Sequence, residues 1–310
     1  MKFNLRSSLV GACLLYASLV VPSRAQDLGA APFKIFTEFA ERQQLMLSKL
    51  KTFEMKGSIK ITLSDEYLKR NEGDVKVRNL SFHVTGKGDS LKQIVQRQGE
   101  HGNPTSTYYV RGDKFVCVQS IGGSSMAAVY TLGKKDNIGL LNECPSFLEY
   151  SFLGLSITNA GIRASSLAEL TSKERWAQAT KNLRSLSLAP DGSISIVFPG
   201  STGKCSVTLV GNDETAGYKI GTVNFFNEAG ALDRRVQVLE MFNVEQIGIV
   251  GKKYKVSIFR TGSEASAVWE YQIDDVKINA PIDDESFDFD PVSVEAIYDG
   301  DHNVTIKVPK

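Results

Sequence analysis

Between Phe33 and Leu63 the spacing of apolar residues changes once, from that of a helix to that of a strand, with no linker between. Phe36, Phe39, Leu47 and Leu50, with Ile35, Ala40 and Met46 beside them, recur at helical spacing. Lys34, Glu38, Glu41, Arg42, Lys49 and Lys51 take the other side. After Phe53, residues Met55, Ile59, Ile61 and Leu63 alternate with Lys56, Ser58, Lys60 and Thr62, the pattern of a strand with one buried face, interrupted at Gly57. A helix of this kind has to cover an apolar surface, and one strand cannot supply it.

The rest of the chain reads mostly as strands. Leu80, Phe82 and Val84 alternate with polar residues up to the turn Gly86–Asp89, and Leu91–Gln98 can return antiparallel. Thr107–Val110, the turn Arg111–Asp113 and Lys114–Gln119 form a second hairpin, and Ala127–Leu132 adds a strand. A helical insert is expected over 138–183. It has an apolar segment containing Phe147 and Phe152, opened by Pro145, and a helix containing Trp176 that starts at Ser166 or at Thr171. Strands resume at Leu186–Ala189, Ser193–Phe198, Lys204–Val210, Tyr218–Phe226, Leu232–Phe242, Tyr254–Arg260 and Ala267–Ile278.

No linker divides the two strand sets, so the expectation is an α+β fold built on one strongly curved antiparallel sheet. It would be an unclosed half-barrel of about ten or eleven strands, since so many do not make a flat open sheet. The N-terminal helix and the mid-chain helices would cover its concave face. The tail after Pro291 reads as an extra hairpin, giving one domain over 26–310 with the insert 138–183 and a C-terminal extension 291–310.

Residues 1–25 read as a cleaved signal peptide, with Lys2 and Arg6 ahead of the apolar run Leu9–Val21 and small residues up to Ala25. A lipidation box at Val10–Cys13 fits less well, because the apolar run continues past Cys13. The chain is therefore expected to be exported, periplasmic or secreted, and not an integral membrane protein. The formal net charge of +1 loses three positive charges with the leader, Lys2, Arg6 and Arg24, and becomes −2. That is no footprint for nucleic acid. Three cysteines follow the leader: Cys117 with Cys144 is the favoured disulfide, and three buried unpaired thiols are the alternative.

The segment Trp269–Pro291, WEYQIDDVKINAPIDDESFDFDP, carries an aromatic strand, a turn at Asn279 and Pro281, and an F-x-F-x-P ending at Phe287, Phe289 and Pro291. In this it resembles the final strand and exit segment of LolA-like periplasmic proteins of bacterial envelopes, the superfamily that includes the LppX-like and RseB-like proteins and the outer membrane lipoprotein carriers. The resemblance implies an open barrel with a hydrophobic cavity under a helical lid, taking a lipid, an acyl chain or a lipoprotein. An arginine near the first strands, which helps govern the lid in the carrier, is not identifiable from sequence. The tail hairpin is also a departure from the minimal carrier.

Little else points to chemistry. His83, His101 and His302 lack triad partners, and no G-x-S-x-G elbow occurs. Gly200–Cys205 is too short for a phosphate loop and ends in Cys where Ser or Thr is required. The acidic run Asp274–Asp290 lacks the EF-hand pattern and reads as a solvated edge. No catalytic residue, cofactor or metal is assigned, and the chain is read as non-enzymatic. The candidate cavity wall is Phe36, Phe39, Leu47, Phe225, Trp269 and Tyr271, and the candidate lid residues are Phe147, Phe152 and Trp176. The expected partner is a lipid or acylated protein, or an envelope protein if the helices fill the hollow themselves.

Overall fold

The computed structural model describes residues 30–98, 103–131, 184–199, 204–212, 217–244, 248–260 and 264–309. Helix α1 (Ala30–Ser48) runs into β1 (Thr52–Leu63), and a short helix α2 (Asp65–Arg70), capped by the Ser64 hydroxyl, leads to β2 (Val77–Lys87). A meander follows through β3 (Ser90–Arg97), β4 (Thr105–Arg111), β5 (Lys114–Ile121) and β6 (Ser124–Thr131). The second set is β7 (Ser185–Leu188), β8 (Ile194–Pro199), β9 (Lys204–Asn212), β10 (Gly217–Phe226), β11 (Leu232–Val244), β12 (Gly248–Ile258) and β13 (Ala267–Ile278). Two 3₁₀ turns, Asp284–Phe287 and Pro291–Ser293, precede β14 (Ala296–Asp299) and β15 (Val304–Lys307).

All fifteen strands lie in one sheet, in the order β15-β14-β6-β5-β4-β3-β2-β1-β13-β12-β11-β10-β9-β8-β7. The two sets meet where β1 pairs with β13, which places the strand read first at the centre of the sheet. The sheet is unclosed, with β15 and β7 at its edges. Among the described residues there are fifteen strands where about ten or eleven were expected; Ser185–Leu188, read in the sequence as a strand, and the tail hairpin both hydrogen-bond into the same sheet. The sheet is also not wholly antiparallel: β14 pairs parallel with β6, with Ala296 to Asp299 alongside Met126 to Val129. The insert 138–183 and the leader 1–25 lie outside the described residues.

Alternation on the central strands gives the sheet one apolar face. On β1 this face carries Phe53, Met55, Gly57, Ile59, Ile61 and Leu63; on β2 it carries Phe82, Val84 and Gly86. The alternation of β13 breaks at Asp274, where the register against β1 slips between Lys56 and Gly57. This bulge keeps Tyr271 and Ile273 on the same face as Val276 and Ile278, and it bends the sheet. Further register shifts occur in the pairings of β10 with β9 and of β11 with β10 and β12, so the β9–β13 arm is the one bent most often.

Two glycines make the curve possible between β1 and β2. Gly57 stands opposite Phe82 and Gly86 opposite Phe53, so each glycine faces an aromatic ring on the neighbouring strand. A Cβ at Gly57 would come within 2.1 Å of the Gln272 carbonyl oxygen and 2.6 Å of Phe82, and one at Gly86 within 2.1 Å of the Phe53 ring. Each ring lies over a strand where no side chain is present, and the strands close tightly on that side.

The opposite, convex face has a small second core. Val116, Ala127 and Val294 are buried there, flanked by Tyr109, Phe289 and Ile297. The tail therefore crosses behind the β3–β6 arm before adding its hairpin. Phe287 is buried, and the Tyr109 and Phe289 ring centroids are 6.1 Å apart. The acidic run is more than a solvated edge: Asp284 pairs with Lys87 at 2.9 Å, Asp288 pairs with Arg111, and Asp290 accepts from the Val292 backbone N–H at 3.1 Å.

Gly57→Ala and Gly86→Ala are each expected to destabilise the protein by about 1–3 kcal/mol through overpacking. Gly211→Ala, on β9 with nothing within 4 Å of the added carbon, serves as the near-neutral control. Urea unfolding midpoints measure the difference.

Candidate functional site: the concave apolar face

Helix α1 lies across the concave side. Its C-terminal end is held by one side chain at the end of β13, Asn279, which sits at φ +55°, a left-handed conformation that asparagine tolerates better than most residues. The Asn279 amide donates to the Lys49 carbonyl at 2.9 Å, and its oxygen accepts from the N–H groups of Lys51 at 2.8 Å and Thr52 at 3.4 Å. The Asn279 backbone N–H donates to the Thr52 carbonyl at 2.8 Å, and the Thr52 hydroxyl donates to the Ala280 carbonyl at 2.7 Å. These bonds satisfy orphan carbonyl and amide groups at the helix exit and fix where β1 begins.

From that anchor α1 contacts β10 and β7. Seven strand steps separate β1 from β7, about 34 Å along the sheet at about 4.8 Å per step. A 19-residue helix spans about 28 Å. The helix is thus a chord across the β13–β7 arm of a curved sheet. Phe36 and Phe39 are each 2% exposed beneath it, and Phe33 and Ile35 pack at the margin of the same cluster.

The sequence-assigned wall residues divide as follows. Phe36, Phe39, Phe225 and Tyr271 are buried in one apolar cluster, and Trp269 is half-buried against it. The Trp269 and Tyr271 ring centroids are 6.3 Å apart, and those of Tyr271 and Tyr254 are 6.4 Å apart. The Tyr254 hydroxyl donates to the Gly251 carbonyl at 2.8 Å. Leu47 falls within α1, but its side chain is not among those described. Phe147, Phe152, Trp176 and Cys144 lie outside the described residues, so neither the lid nor the Cys117–Cys144 pair is described; Cys117 is buried on β5.

The concave surface extends well beyond α1. Across β2–β6 it continues through Phe82, Val84, Leu91, Val95, Tyr108, Val110 and Phe115, all buried, with the polar Gln93 among them at 1% exposed. Two other polar residues on this face were not singled out from sequence. Arg78 shares the parity of Phe82 and Val84 on β2, and Arg234 shares that of Val236 on β11. An arginine in phase with an apolar alternation was the signal that could have found them. The convex face behind the centre is ionic: Glu54 lies 3.1 Å from Lys56, 3.4 Å from Lys277 and 2.8 Å from His83. Burial acts to raise the Glu54 pKa, but the two lysines together outweigh it and hold the carboxyl below the ordinary range.

No family model matches the sequence, and no curated protein matches it significantly. Similar solved structures do exist. A Vibrio parahaemolyticus domain, provisionally described as an outer membrane lipoprotein-sorting protein domain, matches with TM-score 0.45 and 12% identity over 80% of this chain and 95% of that one. A LolA superfamily protein from Nitrosomonas europaea matches with TM-score 0.46 and 11% identity over 82% and 97% of the two chains. Its structural neighbours thus include a LolA-superfamily protein. A DUF1329 family protein from Desulfovibrio piger matches with TM-score 0.42 and 9% identity over 83% and 97%. At these identities the likeness concerns the fold alone. Among the described residues no helix is long and apolar enough to cross a membrane.

Asn279→Ala is expected to lower stability by about 2 kcal/mol, through loss of several backbone-directed bonds and of a left-handed residue. Asn279→Gly, which keeps the backbone conformation, should cost less; chemical denaturation of the pair measures the split. For Glu54, whose pKa is depressed on folding, the contribution to stability is present above the unfolded carboxylate range and is lost as pH falls through its folded value. Glu54→Gln should therefore lower the urea midpoint at pH 7, and the gap from the parent protein should close as the pH is taken into the acid range.

Proposed function

We propose that this chain is an exported, non-enzymatic binding protein whose half-barrel holds the acyl chain of a lipid or of an acylated protein against its concave face. One observation supports the reading above others: the sheet buries a continuous apolar face from β7 to β6, and α1 is packed on the β10 and β7 side of it. A curved sheet can pack the side chains of its two arms against one another, and apolar surface that they do not fill is open to another apolar cover. In this proposal an acyl chain, when bound, serves as cover for that arm. Exchange of one apolar cover for another costs little, because each buried CH₂ of the ligand contributes about 0.8 kcal/mol.

The second reading is an envelope interaction module with a self-filled core, and the 2% exposure of Phe36 and Phe39 favours it on the β7–β10 side. Native mass spectrometry of gently purified protein separates the two. The binding reading predicts co-purified masses in the range of acyl lipids and saturable uptake of a fluorescent fatty acid. A protein that carries no such mass and takes up no fatty acid is a self-filled module.

A further inference from the structure

At the end of the sheet away from Asn279, β1 runs into α2 and β12 leads into β13, and a cleft of about 220 Å³ lies between these two connections. Its walls are tied to the sheet and to each other. The Ser64 N–H donates to the Ser266 carbonyl at 3.0 Å, and the Ser266 N–H and hydroxyl both donate to the Ile258 carbonyl, at 2.8 and 2.9 Å. Tyr67 and Leu68 of α2 pack against the apolar cluster of the sheet. Across the cleft, the Arg260 guanidinium carbon lies over the Tyr67 ring, 5.4 Å from its centre. A stacked guanidinium keeps its in-plane N–H groups available to an oxygen ligand.

Five charged side chains line the cleft: Asp65, Glu66, Arg70, Arg260 and Glu264. Three of them are already paired, Arg70 with Glu66 at 2.6 Å and Asp65 with Lys76 at 2.7 Å. The other two, Arg260 and Glu264, are exposed, carry opposite charges and have no ion-pair partner among the described residues, one another included. An anion alone would meet Arg260 but also the Glu264 carboxylate, and a cation alone would meet Glu264 but also the Arg260 guanidinium. A group that carries both charges matches both. The volume is below the roughly 300–1,000 Å³ of pockets that take drug-sized ligands, so the cleft suits one small polar group.

We propose that this cleft binds a small zwitterionic group, with its ammonium at Glu264 and its acidic oxygen at Arg260 beside the Tyr67 ring. The assignment is independent of the acyl-binding reading, since none of the assigned wall residues of the concave face lines the cleft. The shared chemistry is an ammonium a few bonds from a carboxylate or phosphate oxygen. It is offered by a free amino acid or phosphoethanolamine, and equally by the head group of an amino-phospholipid.

The test is a ligand-observed NMR titration of the full protein with O-phosphoethanolamine, inorganic phosphate and ethanolamine. Phosphoethanolamine should bind saturably and about fivefold tighter than either half alone, the scale of one exposed ion pair, and the preference should shrink as salt is raised. Arg260→Gln should weaken phosphoethanolamine and phosphate and leave ethanolamine unchanged, and Glu264→Gln should weaken phosphoethanolamine and ethanolamine and leave phosphate unchanged. Displacement of phosphoethanolamine by oleoyl lysophosphatidylethanolamine at far lower concentration assigns the group to a lipid; displacement at equal concentration assigns it to a free zwitterion. Absence of saturable phosphoethanolamine binding, or binding that neither variant changes, overturns the site and leaves the acyl-binding reading standing. Phosphoethanolamine binding by a protein that takes up no fatty acid supports the site and overturns the acyl-binding reading alone.

Discussion

Where the chain passes from helix to sheet, the last turn of α1 and the first residue of β1 would leave unpaired carbonyl and amide groups, and Asn279 at the end of β13 satisfies them from across the molecule. That contact joins residues more than two hundred positions apart and sets three things together. It fixes the start of β1, and so the register of the central β1–β13 pair. It closes the junction between the two strand sets. It also fixes one end of α1 while the body of the helix reaches to β10 and β7. Among the described residues the side chain-to-backbone bonds of α1 to the sheet are at this end, and the body of the helix is held by the packing of Phe36 and Phe39.

The curvature is the second constraint. Gly57 under Phe82 and Gly86 under Phe53 close the inner side of the sheet at its centre, and the bulge at Asp274 lets β13 keep its apolar residues inward through the bend. The bend gathers the apolar residues of both arms on one side of the sheet, where they are buried in one cluster with Phe36 and Phe39 of α1, and the proposed binding concerns that face.

Much of this was legible in the sequence. The switch of period at Phe53, the hairpins read from their turn residues and the run Ala267–Ile278 appear in the sheet close to where alternation put them. The segment that resembles LolA-like exit sequences places Asn279, Phe287 and Phe289 at positions with specific contacts. Other features were not legible, for physical reasons. Pairing of β14 with β6 joins segments 170 residues apart, and neither strand carries a local signal of its partner or of a parallel direction. The fifteen strands of the described residues exceed the ten or eleven expected in the sheet because the tail hairpin, read as an extension, joins its edge through β14 and β6, which hydrogen bonding to a neighbour decides. Arg78 and Arg234 look like ordinary surface cations until the parity of their strands is referred to a buried face.

Amide hydrogen exchange with and without bound oleate tests whether the β2–β6 arm of the concave face takes an acyl chain. Altered protection is expected in β2 to β5, while the amides of Thr52 and Asn279 at the anchor are unchanged. Protection that is the same throughout β2 to β5 with and without oleate, under conditions where oleate is bound, would contradict the account.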